Sequence, residues 1–343
     1  MKAAYPPKLL HIVAIGGGTG LATLLSGLKH YVVRPHDGLG GLPEGTAGGV
    51  ERAAIAELTA VVTVTDDGGS SGRLRRELRI LPPGYIRNCM VALSEDEALL
   101  SRLFRYRFRA GRGLKGHSFG NLFLAALAHV TRDFNEAVKL SSEVLAIRGR
   151  IFPSTTENVT PKARLADGRV VQGETAIARS RGSIAKLSLV PSHCEPLAET
   201  LAAIAQADLI TVGPGSLYTS LIPNLLVRGV MQAICRARAT KLSIANIMTQ
   251  PGETIGYTTA DHIKAIYRYA GSKFFDWVIL NSAPASPRLR RKYRRQGADQ
   301  VVNDFEEIRR LGVRYVSGEL LMRGDVARHD PERLARLVLS LAF

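Results

Sequence analysis

Short apolar runs alternate along the chain with glycine-rich turns and with stretches whose apolar residues recur at helical spacing. Leu9 to Ile15 (LLHIVAI) is almost continuously apolar and too short for a typical helix, the pattern of a strand buried on both faces. It ends in Gly16 to Gly20 (GGGTG), and Leu21, Leu24, Leu25 and Leu28 then mark one face of a helix. Leu58 to Thr65, Asp208 to Val212, Leu242 to Asn246, Trp277 to Leu280 and Arg314 to Val316 read as further strands. Helices are expected over Glu95 to Phe108, Phe119 to Val130, Asn135 to Ile147, Pro196 to Ala207, Asp261 to Tyr269 and Asp330 to Leu341. This alternation predicts an α/β fold, Rossmann-like and doubly wound, with a mainly parallel sheet. Two segments interrupt it. Residues 34–57 are rich in glycine and read as a flexible insert, and residues 150–183 break into short pieces that predict a small β-rich excursion with a hairpin at Asp167-Gly168. The expected organisation is a single domain over residues 1–343.

Composition narrows the class. Hydrophobic residues form 45% of the 343 and charged residues 22%, which supports a sizeable core and excludes wholesale disorder. Lys and Arg number 46 against 30 Asp and Glu, a net charge of +16 that favours anionic partners such as phosphorylated small molecules or nucleic acid. Cys89, Cys194 and Cys235 are far apart and form no C-x-x-C pair, which argues against a disulfide framework and a structural zinc site. No run is long enough for a membrane span and the opening segment lacks the form of a signal peptide, so the expected compartment is the cytoplasm.

The candidate chemistry lies in the turns. Gly16, Gly17, Gly18, Thr19 and Gly20 join a strand to a helix, where backbone N–H groups and the helix dipole suit a phosphate. The spacing is neither G-x-G-x-x-G nor a P-loop. Gly213-Pro214-Gly215-Ser216 repeats the arrangement, with Gly213, Gly215 and Ser216 as candidates at a second helix start. Asp66 and Asp67 follow a strand, and carboxylates there can accept from ribose hydroxyls or hold Mg²⁺. Gly69 and Ser70 continue that turn, with Arg73 as a clamp for a diphosphate. Ser118 is a candidate N-cap, and His117 and Asn121 can face a ligand at the same helix start. The run Arg288 to Arg295 can touch RNA or an acidic partner, yet no nucleic-acid-binding module accompanies it, so nucleic acid ranks third among the partner classes.

Five segments together, GGGTGL (Gly16 to Leu21), TDDGGSSGRLR (Thr65 to Arg75), GHSFGNL (Gly116 to Leu122), GPGSLYTSLIPNLLV (Gly213 to Val227) and MTQPGET (Met248 to Thr254), closely resemble the YvcK-like family of gluconeogenesis factors. That family is more distantly related to the CofD-like 2-phospho-L-lactate transferases. The resemblance implies binding of UDP-sugars such as UDP-N-acetylglucosamine. It also implies a regulatory role linking gluconeogenic carbon, envelope precursor supply and cell shape, with no settled catalytic activity. It further implies a homo-oligomer and phosphorylation by a Ser/Thr protein kinase. Arg328 in Arg328-His329-Asp330 matches an Arg implicated in UDP-sugar binding, and Asn88 is expected near sugar or base. The alternative is a Mg²⁺-dependent transferase acting on a nucleoside diphosphate donor, with the metal on Asp67. In Pro82 to Asn88, Tyr85 stands where the resemblance expects an Asp, which removes one hard oxygen ligand from that alternative.

Overall fold

On the first strand, Ile12 and Ala14 point to one face and Val13 and Ile15 to the other, and all four are buried. A strand covered on both sides requires helical layers on both sides, and that is the architecture found. The computed structural model describes residues 8–33, 53–95, 99–180 and 182–342. The main sheet contains β1 (Lys8–Gly16), β2 (Ala53–Val62), β3 (Arg150–Pro153), β7 (Leu209–Val212), β8 (Thr240–Ile244), β9 (Trp277–Asn281) and β10 (Arg314–Gly318). Its order is β10-β9-β8-β7-β1-β2-β3, and every pairing is parallel. A second sheet of β4 (Thr160–Leu165), β5 (Val170–Gln172) and β6 (Ile184–Val190) is antiparallel, with order β5-β4-β6.

The sheet order explains the helix distribution. One face is covered by α1 (Gly18–Leu28), α3 (Gly84–Leu93), α5 (Phe119–Thr131) and α14 (Pro331–Leu339), around Leu21, Leu24, Ile86, Met90, Leu124 and Leu334. The other carries α8 (Ala198–Gln206), α9 (Ile222–Leu226), α10 (Val230–Arg236), α11 (Thr259–Ala270) and α13 (Phe305–Arg310). The small sheet packs on this second face, with Ala163, Leu165, Leu187 and Leu189 in one core with Val13 and Val61. Each fully buried Leu or Ile contributes roughly 1.5–3 kcal/mol to holding these layers together. The remaining helices are α2 (Gly69–Leu78), α4 (Leu99–Arg105), α6 (Phe134–Val144), α7 (Glu174–Arg179) and α12 (Pro287–Arg294). Among the described residues, no helix is long and apolar enough to cross a membrane. Cys89 and Cys194 are buried and Cys235 is partly exposed, all as free thiols.

Several boundaries differ from expectation for local reasons. β2 starts at Ala53, so residues 53–57 are strand and not insert, and residues 34–52 lie outside the described residues. The small alanines and Glu57 hide that strand from a hydrophobic pattern. Its first half pairs with β1, whereas β3 reaches only Thr59 to Val62, leaving Glu57 to pair with Arg150 at 3.2 Å. Of the helix expected from Glu95 to Phe108, Leu99–Arg105 is helical and it ends before Phe108, while residues 96–98 lie outside the described residues. Beyond it the chain folds back on itself through an Arg107–Ser118 bridge. The hairpin at Asp167-Gly168 forms between β4 and β5, but β3 belongs to the main sheet and β6 extends the small sheet beyond residue 183.

Candidate functional site

The strands following β1 extend the sheet in one direction through β2 and β3, and those from β7 onward extend it in the other. The order therefore reverses between β1 and β7, and the turns leaving these two strands must diverge to opposite faces and open a crevice between them. Those turns are Gly16 to Gly20 and Gly213 to Ser216. They meet at a cavity of about 370 Å³ lined by Gly17, Gly18, Thr19 and Gly20 on one side and by Pro214, Gly215 and Ser216 on the other.

The first wall is the start of α1. Gly18 has φ +65°, a conformation strained for any residue with a side chain, and it begins the helix directly after the strand. Gly20 is pressed against the Pro214 carbonyl so closely that a Cβ would overlap it. Among the described residues, no side chain caps this helix end. Its leading N–H groups have no intrahelical acceptor and carry the positive end of the dipole, which suits an anionic ligand. Gly16 lies beneath, its carbonyl accepting from Thr63 N at 3.0 Å and from Asn224 Nδ2 at 3.1 Å.

The second wall is built differently. Ser216 leads into a π-helical turn (Leu217–Leu221) before α9. There Tyr218 N donates to Glu253 Oε2 at 2.8 Å and Thr219 Oγ1 to Glu253 Oε1 at 2.9 Å. A buried carboxylate of the chain itself thus holds an N–H that sequence reasoning offers to a phosphate. Burial raises the pKa of Glu253, opposed by these same hydrogen bonds. Gly213 N is tied to Ile15 O at 3.0 Å and serves the sheet edge. Gly215 and Ser216 do face the cleft. The Gly215 peptide is gripped by Asn246, and Ser216 Oγ accepts from Gln250 Nε2 at 2.8 Å.

Asn88, Tyr85, Tyr293, Arg328, His329 and the segment Asn246 to Gln250 add to the lining. The Tyr85 ring lies against Gly17, where a Cβ would meet its Cδ2 at 3.0 Å. Its hydroxyl donates to Glu174 Oε1. Burial first, then the carboxylates of Glu174 and Asp66, push the Tyr85 hydroxyl well above its ordinary pKa. Burial also pushes Glu174 up to about 8. Asn88 is steadied by Arg87 Nη2, which donates to Asn88 Oδ1 at 2.7 Å. Tyr293 Oη accepts from Ala327 N at 3.0 Å and so anchors the loop carrying the exposed Arg328.

The other residues expected at the ligand form a separate polar cluster and do not line this cavity. Ser70 Oγ is 3.0 Å from His117 Nδ1, Asn121 Nδ2 donates to Ser71 Oγ at 3.4 Å, and Arg73 Nη2 donates to Lys115 O at 2.9 Å. Gly69 starts α2 beside them. Burial, with Arg73 nearby, lowers the pKa of His117. Asp67 Oδ1 accepts from Thr175 N at 2.9 Å and from Thr175 Oγ1 at 2.5 Å, tying α7 to the end of β2. Asp67 Oδ2 lies where a Cβ on Gly173 would meet it at 2.5 Å. This carboxylate is engaged by the protein, and the Tyr85 hydroxyl adjoins Glu174 where the transferase reading asks for a second acid. Among the described residues, no group of three or more His, Cys, Asp or Glu side chains is placed to hold a metal ion, and no chemical step is derived through Mg²⁺.

Asn246, Gln250 and Tyr293 were not singled out by sequence reasoning. Asn246 ends an apolar run and Gln250 sits in a Thr-Gln-Pro turn, both weak signals. They reach the cleft because β8 lies beside β7.

Fold and cleft define a Rossmann-like α/β protein with an uncapped glycine turn at the point where strand order reverses. Residues 12–321 match the family model described as 2-phospho-L-lactate transferase CofD, and the chain belongs to this family. A relative from Nostoc sp. is 47% identical over 332 residues, covering 96% of this chain and 68% of its own. The gluconeogenesis factor of Bacillus subtilis is 44% identical, covering 96% of this chain and 97% of its own. A crystal structure of a protein from Bacillus halodurans has a TM-score of 0.88 at 41% identity, over 97% of this chain and 100% of that one.

Proposed function

We propose that the chain is a nucleotide-sugar-binding regulator whose cleft takes UDP-N-acetylglucosamine or a close relative. In this reading it couples central carbon metabolism to envelope precursor supply and cell shape. The observation that carries the proposal is the meeting of the uncapped α1 start with Gly215, Ser216 and Arg328 around one cavity. The diphosphate sits at Gly18 to Gly20, where N–H groups and the helix dipole favour negative charge. Arg328 adds charge-assisted hydrogen bonds to phosphate oxygens. Asn88 and the wall formed by Asn246 to Gln250 are left for base and sugar. The names of the gluconeogenesis factors among the relatives support the regulatory half of the reading. The family resemblance adds two expectations, a homo-oligomer and phosphorylation by a Ser/Thr kinase, and the sequence pattern adds a cytoplasmic location.

Calorimetric titration with UDP-N-acetylglucosamine tests the proposal. Saturable heat whose apparent affinity falls about ten- to a hundredfold on Arg328→Ala is expected, and absence of heat at millimolar ligand refutes it. The transferase alternative predicts release of a nucleoside phosphate from a pyrophosphate donor, abolished by Asp67→Asn. With Asp67 held by Thr175, no such release is expected.

A further inference from the structure

The nucleotide-sugar cleft leaves the basic run Arg288 to Arg295 unused apart from Tyr293. Helical geometry sorts its cations into two sets. Arg290 and Arg294 bond neighbouring parts of the protein: Arg290 Nε donates to Ala285 O at 3.0 Å, and Arg294 Nε pairs with Asp299 Oδ2 at 3.0 Å. Arg288, Arg291, Lys292 and Arg295 stand at the spacing i, i+3, i+4, i+7 and share one face of α12, which Arg295 continues in helical conformation. All four are exposed, and all four line a cavity of about 490 Å³ between α12 and the loop at Gly324-Asp325. Leu289 is buried, and none of the four cations lines the nucleotide-sugar cleft.

Like charges at these spacings repel one another. The helix dipole favours cations in the last turn, but Arg288 stands in the first, where it opposes the dipole and no acidic residue offsets it. Asp325 supplies the single carboxylate among the described residues that line the cavity. Its Oδ1 pairs with Arg288 Nη2 at 3.2 Å, and its main-chain carbonyl accepts from Lys292 Nζ at 2.6 Å. Among the described residues, no acceptor engages the side chains of Arg291 and Arg295. Four cations thus face one carboxylate, spread over seven residues of helix, roughly 10 Å along its axis.

We propose that this cavity is a second anion site, separate from the nucleotide-sugar cleft, and that it takes a small molecule carrying two or more phosphate groups. Arg291 and Arg295 are the first donors, and Arg288 and Lys292 turn to the ligand from Asp325. Guanidinium forks bind phosphate oxygens in pairs, and the length of the cationic stripe suits linked phosphates better than a single one. A small ligand is favoured over a macromolecule by what the face lacks. With Leu289 buried and Tyr293 lining the cleft, α12 offers a bilayer no apolar anchor and a nucleic-acid base no ring to stack on. No residue of the nucleotide-sugar cleft enters this site, so it goes beyond that reading and stands without it.

The experiment titrates the wild type and the double variant Arg291→Gln, Arg295→Gln with inorganic tripolyphosphate in metal-free buffer, with and without saturating UDP-N-acetylglucosamine. Saturable heat that persists beside UDP-N-acetylglucosamine is expected from the wild type. Loss of two charged donors predicts binding weaker by about tenfold or more in the double variant. Both arginines are exposed, so the double variant is expected to keep the wild-type melting temperature and affinity for UDP-N-acetylglucosamine. Orthophosphate should bind the wild type more weakly than tripolyphosphate, and Asp325→Asn, which removes the competing carboxylate, should bind tripolyphosphate more tightly. Tripolyphosphate heat that vanishes once UDP-N-acetylglucosamine is bound, or that is equal in wild type and double variant, overturns the inference and leaves the nucleotide-sugar reading standing. So does a wild type that ignores tripolyphosphate but binds single-stranded RNA or phosphatidylglycerol vesicles in a way the double variant does not. Absence of heat with UDP-N-acetylglucosamine refutes the nucleotide-sugar reading alone, and the comparison of wild type with double variant then decides this site by itself.

Discussion

The Asn246 carboxamide exchanges two hydrogen bonds with the Gly215 peptide: Gly215 N donates to Oδ1 at 3.2 Å, and Nδ2 donates to Gly215 O at 2.8 Å. A side chain from the end of β8 thereby fixes the turn that leaves β7. Asn246→Ala removes both bonds and is expected to lower unfolding free energy by about 1–2 kcal/mol. It should also weaken UDP-N-acetylglucosamine about tenfold, because a loosened turn must be re-ordered on binding. Asn246→Asp should bind more weakly still, since its carboxylate opposes the Gly215 carbonyl and the ligand charge. Calorimetry and denaturant unfolding measure the two effects. Unchanged affinity in Asn246→Ala would show that Gly215 is not part of the binding surface.

Gly20 and Gly27 separate the cleft from the scaffold. Each faces a backbone carbonyl, of Pro214 and Pro331 respectively, at a distance that leaves no room for a Cβ. Alanine at either position is expected to cost roughly 1–3 kcal/mol through forced backbone movement. Only Gly20→Ala should also abolish nucleotide-sugar binding, because only Gly20 borders the cavity. Equal loss of affinity in both variants would contradict the assignment of α1's first turn to the ligand.

Arg328 is exposed in the free protein, so Arg328→Ala should leave the melting temperature within about 1 °C while weakening the nucleotide-sugar ten- to a hundredfold, roughly 1.5–3 kcal/mol for a charged hydrogen bond. Arg328→Lys retains the charge without the fork and should fall between. Thermal shift with and without ligand reads both quantities. A stability loss as large as the affinity loss would assign Arg328 to the scaffold instead.

Glu174 makes stability depend on pH in an identifiable direction. Burial favours its neutral form, with a folded pKa of about 8 against an unfolded value near 4.3. Between these values the folded protein holds a proton that the unfolded chain has released. The stability contributed by this group is therefore complete below about pH 4.3 and is lost as pH rises through about 8. Glu174→Gln stays neutral and retains an acceptor for Tyr85. Urea denaturation of both proteins from about pH 5 to about pH 9 should show the variant gaining on the wild type by up to about 1.4 kcal/mol per pH unit until the folded pKa is passed. A constant difference would mean that Glu174 is ionised in the fold.

The strand–turn–helix units were legible because each is local. LLHIVAI followed by GGGTG and a leucine face states its structure within twenty residues, and Asp208 to Ser216 does the same apart from the helix type. The ligands of the polar groups were not legible, because their partners lie far along the chain. Asp67 looked free for a metal, yet Thr175 stands 108 residues later. The helix start at Ser216 looked free for phosphate, yet its Tyr218 N–H is taken by Glu253, 35 residues further on. Asn246, Gln250, Tyr293 and His329 reach the cleft only through strand order and the return of α14 onto α1, which no hydrophobic period encodes. Residues 53–57 were missed for the opposite reason: alanine and Glu57 suffice on a strand half covered by neighbours, and they carry little apolar signal.

The packing of α14 on α1 through Gly27 and Pro331 has a consequence for biosynthesis. During translation the glycine turn emerges first, and residues 327–329 follow some three hundred positions later. A nascent chain therefore exposes an incomplete pocket until its last wall leaves the ribosome. A ligand that needs this whole wall cannot serve as a template for the folding of the residues that precede it.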